Sequence, residues 1–179
     1  MTTIRRYAAF TDRPDGGNPA GVWVGEQLPN LHDMQTIAAD IGYSETVFAG
    51  SLGEREYRVR YFSPIIEVPF CGHATIALGV ALGPAAEGGY SLETPAGRVK
   101  LTVTDSPAGP VAALTSVEPT HSPARPTLVA EVIRLLGWDL ADLDDSIQPA
   151  IANAGANHLV ISVKKRHTLQ RLSQSSTWM

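Results

Sequence analysis

Glu67-Val68-Pro69-Phe70-Cys71-Gly72-His73-Ala74-Thr75 runs without a break into Ile76-Ala77-Leu78-Gly79-Val80-Ala81-Leu82, and Gly83-Pro84 then stops the pattern. The spacing predicts a helix over 72–82 that is apolar almost all round. Such a helix has no side to offer water and has to be surrounded by protein, so strands are expected to wrap it. Its start is also a candidate anion site. Backbone N–H groups in a first helical turn lack partners and carry partial positive charge, so a carboxylate can be held there without Lys or Arg. Gly72 lets a ligand approach the backbone closely, while Cys71 and His73 set a thiol and an imidazole beside the same spot. Small molecules that carry a carboxylate are the expected guests.

Working outward from this run, period-two patterns dominate the first half of the chain. Ile4–Phe10, Ala20–Gly25, Thr46–Gly50 and Glu56–Phe62 read as strands, the clearest being Tyr57, Val59 and Tyr61 alternating with Arg58 and Arg60. Asn30 reads as the N-cap of a helix carrying Leu31, Met34, Ile37, Ala38 and Ile41 on one side, and Gly42 ends it. Three more strands, Tyr90–Thr94, Val99–Thr104 and Val111–Val117, are available to enclose the apolar helix. The proline-rich 118–126 stretch reads as a linker rather than an element. That gives a first domain over 1–117 and a partial second one over 127–179. The second part is expected to hold an amphipathic helix over Leu128–Leu136, strands at Ile147–Ala152 and His158–Val163, and a polar helix from Leu169. It is too short to be expected to close a core of its own.

Composition narrows the function. With 179 residues, 44% hydrophobic and 18% charged, and a formal charge of −4, the chain suits a globular protein and carries no basic footprint for nucleic acid. Lys164-Lys165-Arg166-His167 reads as a solvated turn. There is no run of 18 apolar residues and no signal-like start, so no membrane association is expected and the cytoplasm is the expected location. The single cysteine, Cys71, cannot form an internal disulfide, which fits a reducing compartment. Neither zinc-ligand Cys/His spacing, nor a phosphate-cradling glycine loop after a strand, nor a serine nucleophile elbow appears. No metal and no cofactor are expected.

Four ordered segments carry a specific resemblance. Gly17-Asn18-Pro19-Ala20-Gly21-Val22, Gly42-Tyr43-Ser44-Glu45-Thr46-Val47-Phe48, Tyr61-Phe62-Ser63-Pro64 through to Thr75, and Asn153-Ala154-Gly155-Ala156-Asn157-His158-Leu159-Val160 resemble the phenazine-biosynthesis isomerase-like (PhzF-like) family. The resemblance implies an α+β, diaminopimelate epimerase-like fold: two pseudo-symmetric domains, each a β-barrel-like sheet around a central helix, with the active site in the cleft between them. It also implies cofactor-independent movement of a proton between carbons of a small carboxylic acid, commonly in a homodimer. Nothing after Val163 resembles the family's second central-helix motif. The expectation is therefore a C-terminally shortened chain with an incomplete second domain, presenting one wall of the cleft and needing the facing wall from another chain for full activity. The competing reading is a non-catalytic relative that binds small acids or serves dimerisation.

Residue by residue, Glu45 sits between Ser44 and the apolar strand Thr46-Val47-Phe48, where a carboxylate is held beside hydrophobic surface. The resemblance makes it the proton-transfer base and acid, with His73 beside it as the second catalytic residue. Gly72 and Ala74 would offer N–H groups to the substrate carboxylate, and Asn18, Ser44 and Asn157 would line the substrate. Cys71 is a possible participant, since a thiol at a helix start is suited to proton transfer; the alternative is a small residue packed at the helix entry. A mechanism that needs two thiols from one chain is excluded by the cysteine count.

Overall fold

The computed structural model describes residues 3–11, 13, 16–85 and 88–172. The chain divides into two compact units, Met1–Val117 and Glu118–Met179.

The first unit is one sheet folded round one helix. Its strands are β1 (Arg5–Ala9), β2 (Asn18–Gly25), β3 (Glu45–Gly53), β4 (Glu56–Phe62), β5 (Glu67–Val68), β6 (Tyr90–Thr94), β7 (Gly97–Ser106) and β8 (Gly109–Thr115), with helices α1 (Leu31–Ile41) and α2 (Gly72–Leu82). Seven strands follow the order β1-β2-β3-β4-β6-β7-β8, and the short β5 adds to β4. The pairs β2/β3 and β4/β6 run parallel, and the others are antiparallel.

Strand alternation sends opposite sets of side chains to the two faces of the sheet. On the inner face Val22, Val47, Ala49, Val59, Leu92, Val99 and Leu101 close on Ala74, Ala77 and Leu78 of α2. On the outer face Phe48, Phe62 and Trp23 meet Met34 and Ala38 of α1. The α1 helix is capped as its sequence signals: the Asn30 side chain accepts from the Asp33 N–H at 2.9 Å, and Gly42 takes the left-handed conformation at φ 70°. Leu31, expected on the packed side of α1, remains 53% exposed.

The apolar rod is not completely enclosed. The sheet ends at β1 and β8 without closing, and Ile76 and Val80 of α2 stay half-buried at that seam. A groove of about 230 Å³ there is lined by Tyr7, Phe10, Ile76, Val80 and Val111 among others. The arrangement is thus an open, barrel-like sheet, in keeping with the expected α+β class.

The second unit carries β9 (Thr120–Pro123), α3 (Pro126–Leu136), a 3-10 turn at Leu140–Asp142, β10 (Ala150–Asn153), β11 (Asn157–Val160) and α4 (Arg166–Gln170). Two readings of the sequence need correction here. The 118–126 stretch is not all linker, because Thr120–Pro123 pairs antiparallel with β10, Ser122 facing Ile151. Its proline is tolerated because β9 is the outer strand of its three-stranded sheet. The unit also gathers a small core of its own, Val129, Ile133, Trp138 and Leu143, against which Leu159, Ile161 and Val163 pack. That core uses one stripe of α3, Val129 and Ile133 lying one turn apart on the same side. No second all-apolar helix occurs among the described residues. The polar helix expected from Leu169 begins earlier and ends at Gln170, and the rest of that expectation, 173–179, lies outside the described residues. No helix among the described residues is long and apolar enough to cross a membrane.

Candidate active site at the start of helix α2

Glu45 owes its position to strand register. It is the first residue of β3 and pairs with Ala20 of the parallel strand β2. Sharing a face with Val47 and Ala49, it is aimed at the helix-bearing side of the sheet, at the rim where α2 begins. Its Oε2 lies 3.5 Å from His73 Nε2, with the two side chains 22% and 10% exposed. Ser44 Oγ stands 3.5 Å from the same ring nitrogen. The other ring nitrogen, Nδ1, is 3.1 Å from Cys71 Sγ. His73 is therefore held between a thiol and a carboxylate, one at each nitrogen. An approach of 3.5 Å is loose for a hydrogen bond and leaves room for adjustment around a ligand.

Cys71 is the N-cap residue of α2, in extended conformation at φ −143°, ψ 114°. Burial pushes its thiol up to about 12; the Ala74 and His73 N–H groups pull it down in part, and the nearby Glu45 carboxylate pushes it further up. This favours the packing reading of Cys71 over direct participation. Desolvation and a neighbouring negative charge outweigh the helix end, and the group is a neutral thiol near pH 7.

A buried hydrogen-bond chain anchors this turn. The Thr75 hydroxyl donates to the Cys71 carbonyl at 2.7 Å, so the Tyr61 hydroxyl, 2.7 Å from Thr75 Oγ1, is the donor in the next link. The Thr75 N–H also donates to the Cys71 carbonyl, at 3.0 Å. Arg60 and Glu67, joined twice at 2.6 Å, tie β4 to β5 just before the chain turns into Pro69-Phe70-Cys71. None of these anchors was singled out in the sequence. The available signals were a tyrosine in a strand's inward register, whose hydroxyl must find a partner, and a threonine inside an otherwise apolar helix.

Of the other expected residues, Gly72 and Ala74 lie in the first turn of α2. A Cβ added at Gly72 would meet nothing within 4 Å, so the helix start faces open space on that side. Asn18 is the exposed first residue of β2, two before the residue that pairs with Glu45. It stands on the same rim and face, about 7 Å further along the strand direction. Gly17 before it sits at φ 74°, where an added Cβ would collide with the Ala9 carbonyl oxygen. Asn157 belongs to the second unit. Its side-chain oxygen accepts from Asn153 Nδ2 at 2.8 Å across the β10–β11 turn, while Asn153 Oδ1 takes the Gly155 N–H at 2.9 Å. Its amide is engaged in shaping that hairpin.

The fold also brings together what sequence spacing kept apart. One donor atom each from Glu45, Cys71 and His73 lies within 4.8 Å of the others, a set that could hold a metal ion. The absence of zinc-ligand spacing in the sequence had argued against this. Strand β3 supplies the carboxylate 26 positions upstream of Cys71, a proximity that no local motif can reveal.

The phenazine biosynthesis-like protein model, PhzC-PhzF, matches residues 7–177. The chain belongs to this family. An uncharacterized isomerase of Deinococcus radiodurans is 45% identical over 104 residues, 56% of this chain but 34% of the relative. The uncharacterized isomerase YfhB of Bacillus subtilis is 39% identical over 106 residues, 57% of this chain and 36% of that one. A phenazine biosynthesis protein of the PhzF family from Bacillus anthracis superposes with a TM-score of 0.75 at 27% identity, covering 95% of this chain and 58% of the other. A predicted epimerase of Pseudomonas aeruginosa, 20% identical with a TM-score of 0.83, shares the fold over 97% of this chain and 64% of its own. This PhzF-family chain thus spans little more than half of the first solved relative and matches about a third of the curated ones.

Proposed function

We propose that this PhzF-family chain carries the proton-transfer half of an isomerase acting on a small carboxylic acid, without a cofactor and as part of a homodimer in the cytoplasm. The reading rests on one observation above all: a carboxylate from the inner face of β3 lies 3.5 Å from an imidazole on the first turn of the central helix. The substrate carboxylate would lie at the start of α2. There it would take over backbone donors that now face the Cys71 sulfur.

In this arrangement Glu45 removes a proton from a carbon made acidic by the nearby carboxyl group. The electron pair left behind moves into the substrate, and negative charge builds on the carboxylate oxygens, which the helix start stabilises. Glu45, now protonated, returns the proton at another carbon. His73, 3.5 Å from Glu45, is placed to hydrogen-bond to it as the pair tightens around the substrate and so to orient it, and Ser44 and Asn18 border the substrate on the β3 and β2 sides. Cys71, as a neutral thiol, is placed to pack and hydrogen-bond rather than to abstract a proton. The relatives named as isomerases and the neighbour titled a predicted epimerase support the reaction class.

The test is isotopic. Candidate acids are incubated with the protein in D₂O and examined by NMR and mass spectrometry. Deuterium entering at a carbon, and lost in Glu45→Gln, supports the isomerase. Saturable acid binding with no exchange would overturn it in favour of a binding module.

A further inference from the structure

Glu45, Cys71 and His73 offer a carboxylate oxygen, a thiol sulfur and an imidazole nitrogen within 4.8 Å of one another. That mixture suits a borderline-soft ion of the zinc class and not the hard, oxygen-seeking Mg²⁺ or Ca²⁺. Tetrahedral zinc with ligand bonds of about 2.0 to 2.3 Å sets its donors about 3.5 Å apart. The 3.1 Å between Cys71 Sγ and His73 Nδ1 already has that scale. Closing the third side requires Glu45, whose Oε2 now lies 3.5 Å from Nε2, to swing toward the Nδ1 edge of the ring, within the 4.8 Å that already spans the three donors.

We propose that these three side chains bind a single zinc-class cation, and that its occupancy blocks the proton transfer. Two ligands ride on one helical turn pinned by the Tyr61–Thr75–Cys71 hydrogen-bond chain, and the third starts the adjoining strand. Preorganised ligands of this kind lose little freedom on binding. With His73 ligating through Nδ1, its Nε2–H is left facing Ser44 Oγ at 3.5 Å, a candidate for the outer contact that metal-bound histidines make. A fourth ligand, water or a substrate carboxylate, has room beside Gly72, where an added Cβ would meet nothing within 4 Å. On binding, a sulfur–metal bond forms and the thiol proton leaves to buffer. No electrons are exchanged. Glu45, once ligated, has its negative charge drawn to the cation and its carboxylate held away from the substrate carbon, so it is a poor base for the substrate proton.

The blocking effect rests on the proposed role of Glu45; the metal site itself does not. Untagged protein of these 179 residues is stripped with EDTA and titrated with Cd²⁺, following the ultraviolet thiolate-to-metal band, and separately with Zn²⁺ by calorimetry. One ion per chain is expected, with the band lost in Cys71→Ser and Zn²⁺ affinity lowered at least about tenfold in both His73→Ala and Glu45→Gln, each variant checked for folding by circular dichroism. No band at millimolar Cd²⁺, or Zn²⁺ binding unchanged by the His73 and Glu45 substitutions, overturns the site. Deuterium exchange that falls with Zn²⁺ and returns with EDTA supports the block; exchange that persists with the site saturated overturns it. A wild-type protein that exchanges no acid, yet loses its metal with these substitutions, refutes the proposed function and the block together and leaves the site standing.

Discussion

The hydroxyls of Tyr61 on β4 and Thr75 on α2 lie 2.7 Å apart in a fully buried setting, and Thr75 passes the contact on to the carbonyl of Cys71. Through this pair the inner face of the sheet sets the height of the helix start beside Glu45. Tyr61→Phe removes one donor and should cost about 1 kcal/mol. Thr75→Val leaves the Tyr61 hydroxyl buried without its partner and should cost more, about 1 to 3 kcal/mol. In the double variant the orphaned group is gone, so its loss should be smaller than the sum. Urea denaturation of the four proteins checks the order, and simple additivity would show that the contact is not coupled.

Glu45→Gln should lower deuterium exchange by at least about a hundredfold, the usual weight of a positioned acid–base group. The melting temperature should move little, because this side chain sits on the rim of the core at 22% exposure. Glu45→Asp, which withdraws the carboxylate from His73, should fall between wild type and Glu45→Gln.

Cys71, with its thiol pushed up to about 12, should alkylate slowly for a cysteine. At pH 8 its thiolate fraction is about 10⁻⁴, so iodoacetamide should react far more slowly than with an exposed cysteine, and about tenfold faster for each added pH unit. Glu45→Gln removes a charge that holds the thiol up and should speed the reaction. An unchanged rate would mean that burial alone sets the thiol.

The same shift predicts a loss of stability in alkali. An unfolded thiol ionises around 9.0, whereas the folded one keeps its proton to about 12. Between those values the unfolded state binds fewer protons, so the free energy of unfolding falls as pH rises, and the contribution is complete below pH 9. Tyr61, raised in the same direction by burial, adds to the slope above pH 10. Denaturation between pH 8 and 11 should show a shallower decline in Cys71→Ala than in wild type.

Arg60 and Glu67, paired twice at 2.6 Å and about 70% buried at each side chain, brace the segment entering α2. Glu67→Gln should cost about 1 kcal/mol, less at high salt. Thermal melts at two salt concentrations check both statements.

Much of this was legible in the chain. The all-apolar run over 72–82 demanded enclosure, and a strand such as β7 announced itself by alternation because Val99, Leu101 and Val103 are packed while Arg98, Lys100 and Thr104 are not; β2 and β3, packed on both faces, show it less. The reading failed at Thr120–Pro123, a polar, proline-bearing stretch whose strand character comes from pairing with β10 and not from its own residues. It also stopped short at the second unit's core, where Val129 and Ile133 depend on Trp138 and Leu143 for company.

The sequence by itself determined that a greasy helix begins at Gly72 with a thiol and an imidazole at its head, and that Glu45 stands just before a strand read over Thr46–Gly50, since propensity, capping and periodicity act over a few neighbouring residues. Only the tertiary structure decided that Glu45 meets His73, that Tyr61 pins the turn through Thr75, and that the Cys71 thiol stays neutral. Those outcomes depend on strand register and on the exclusion of water, and both are properties of the assembled sheet and helix.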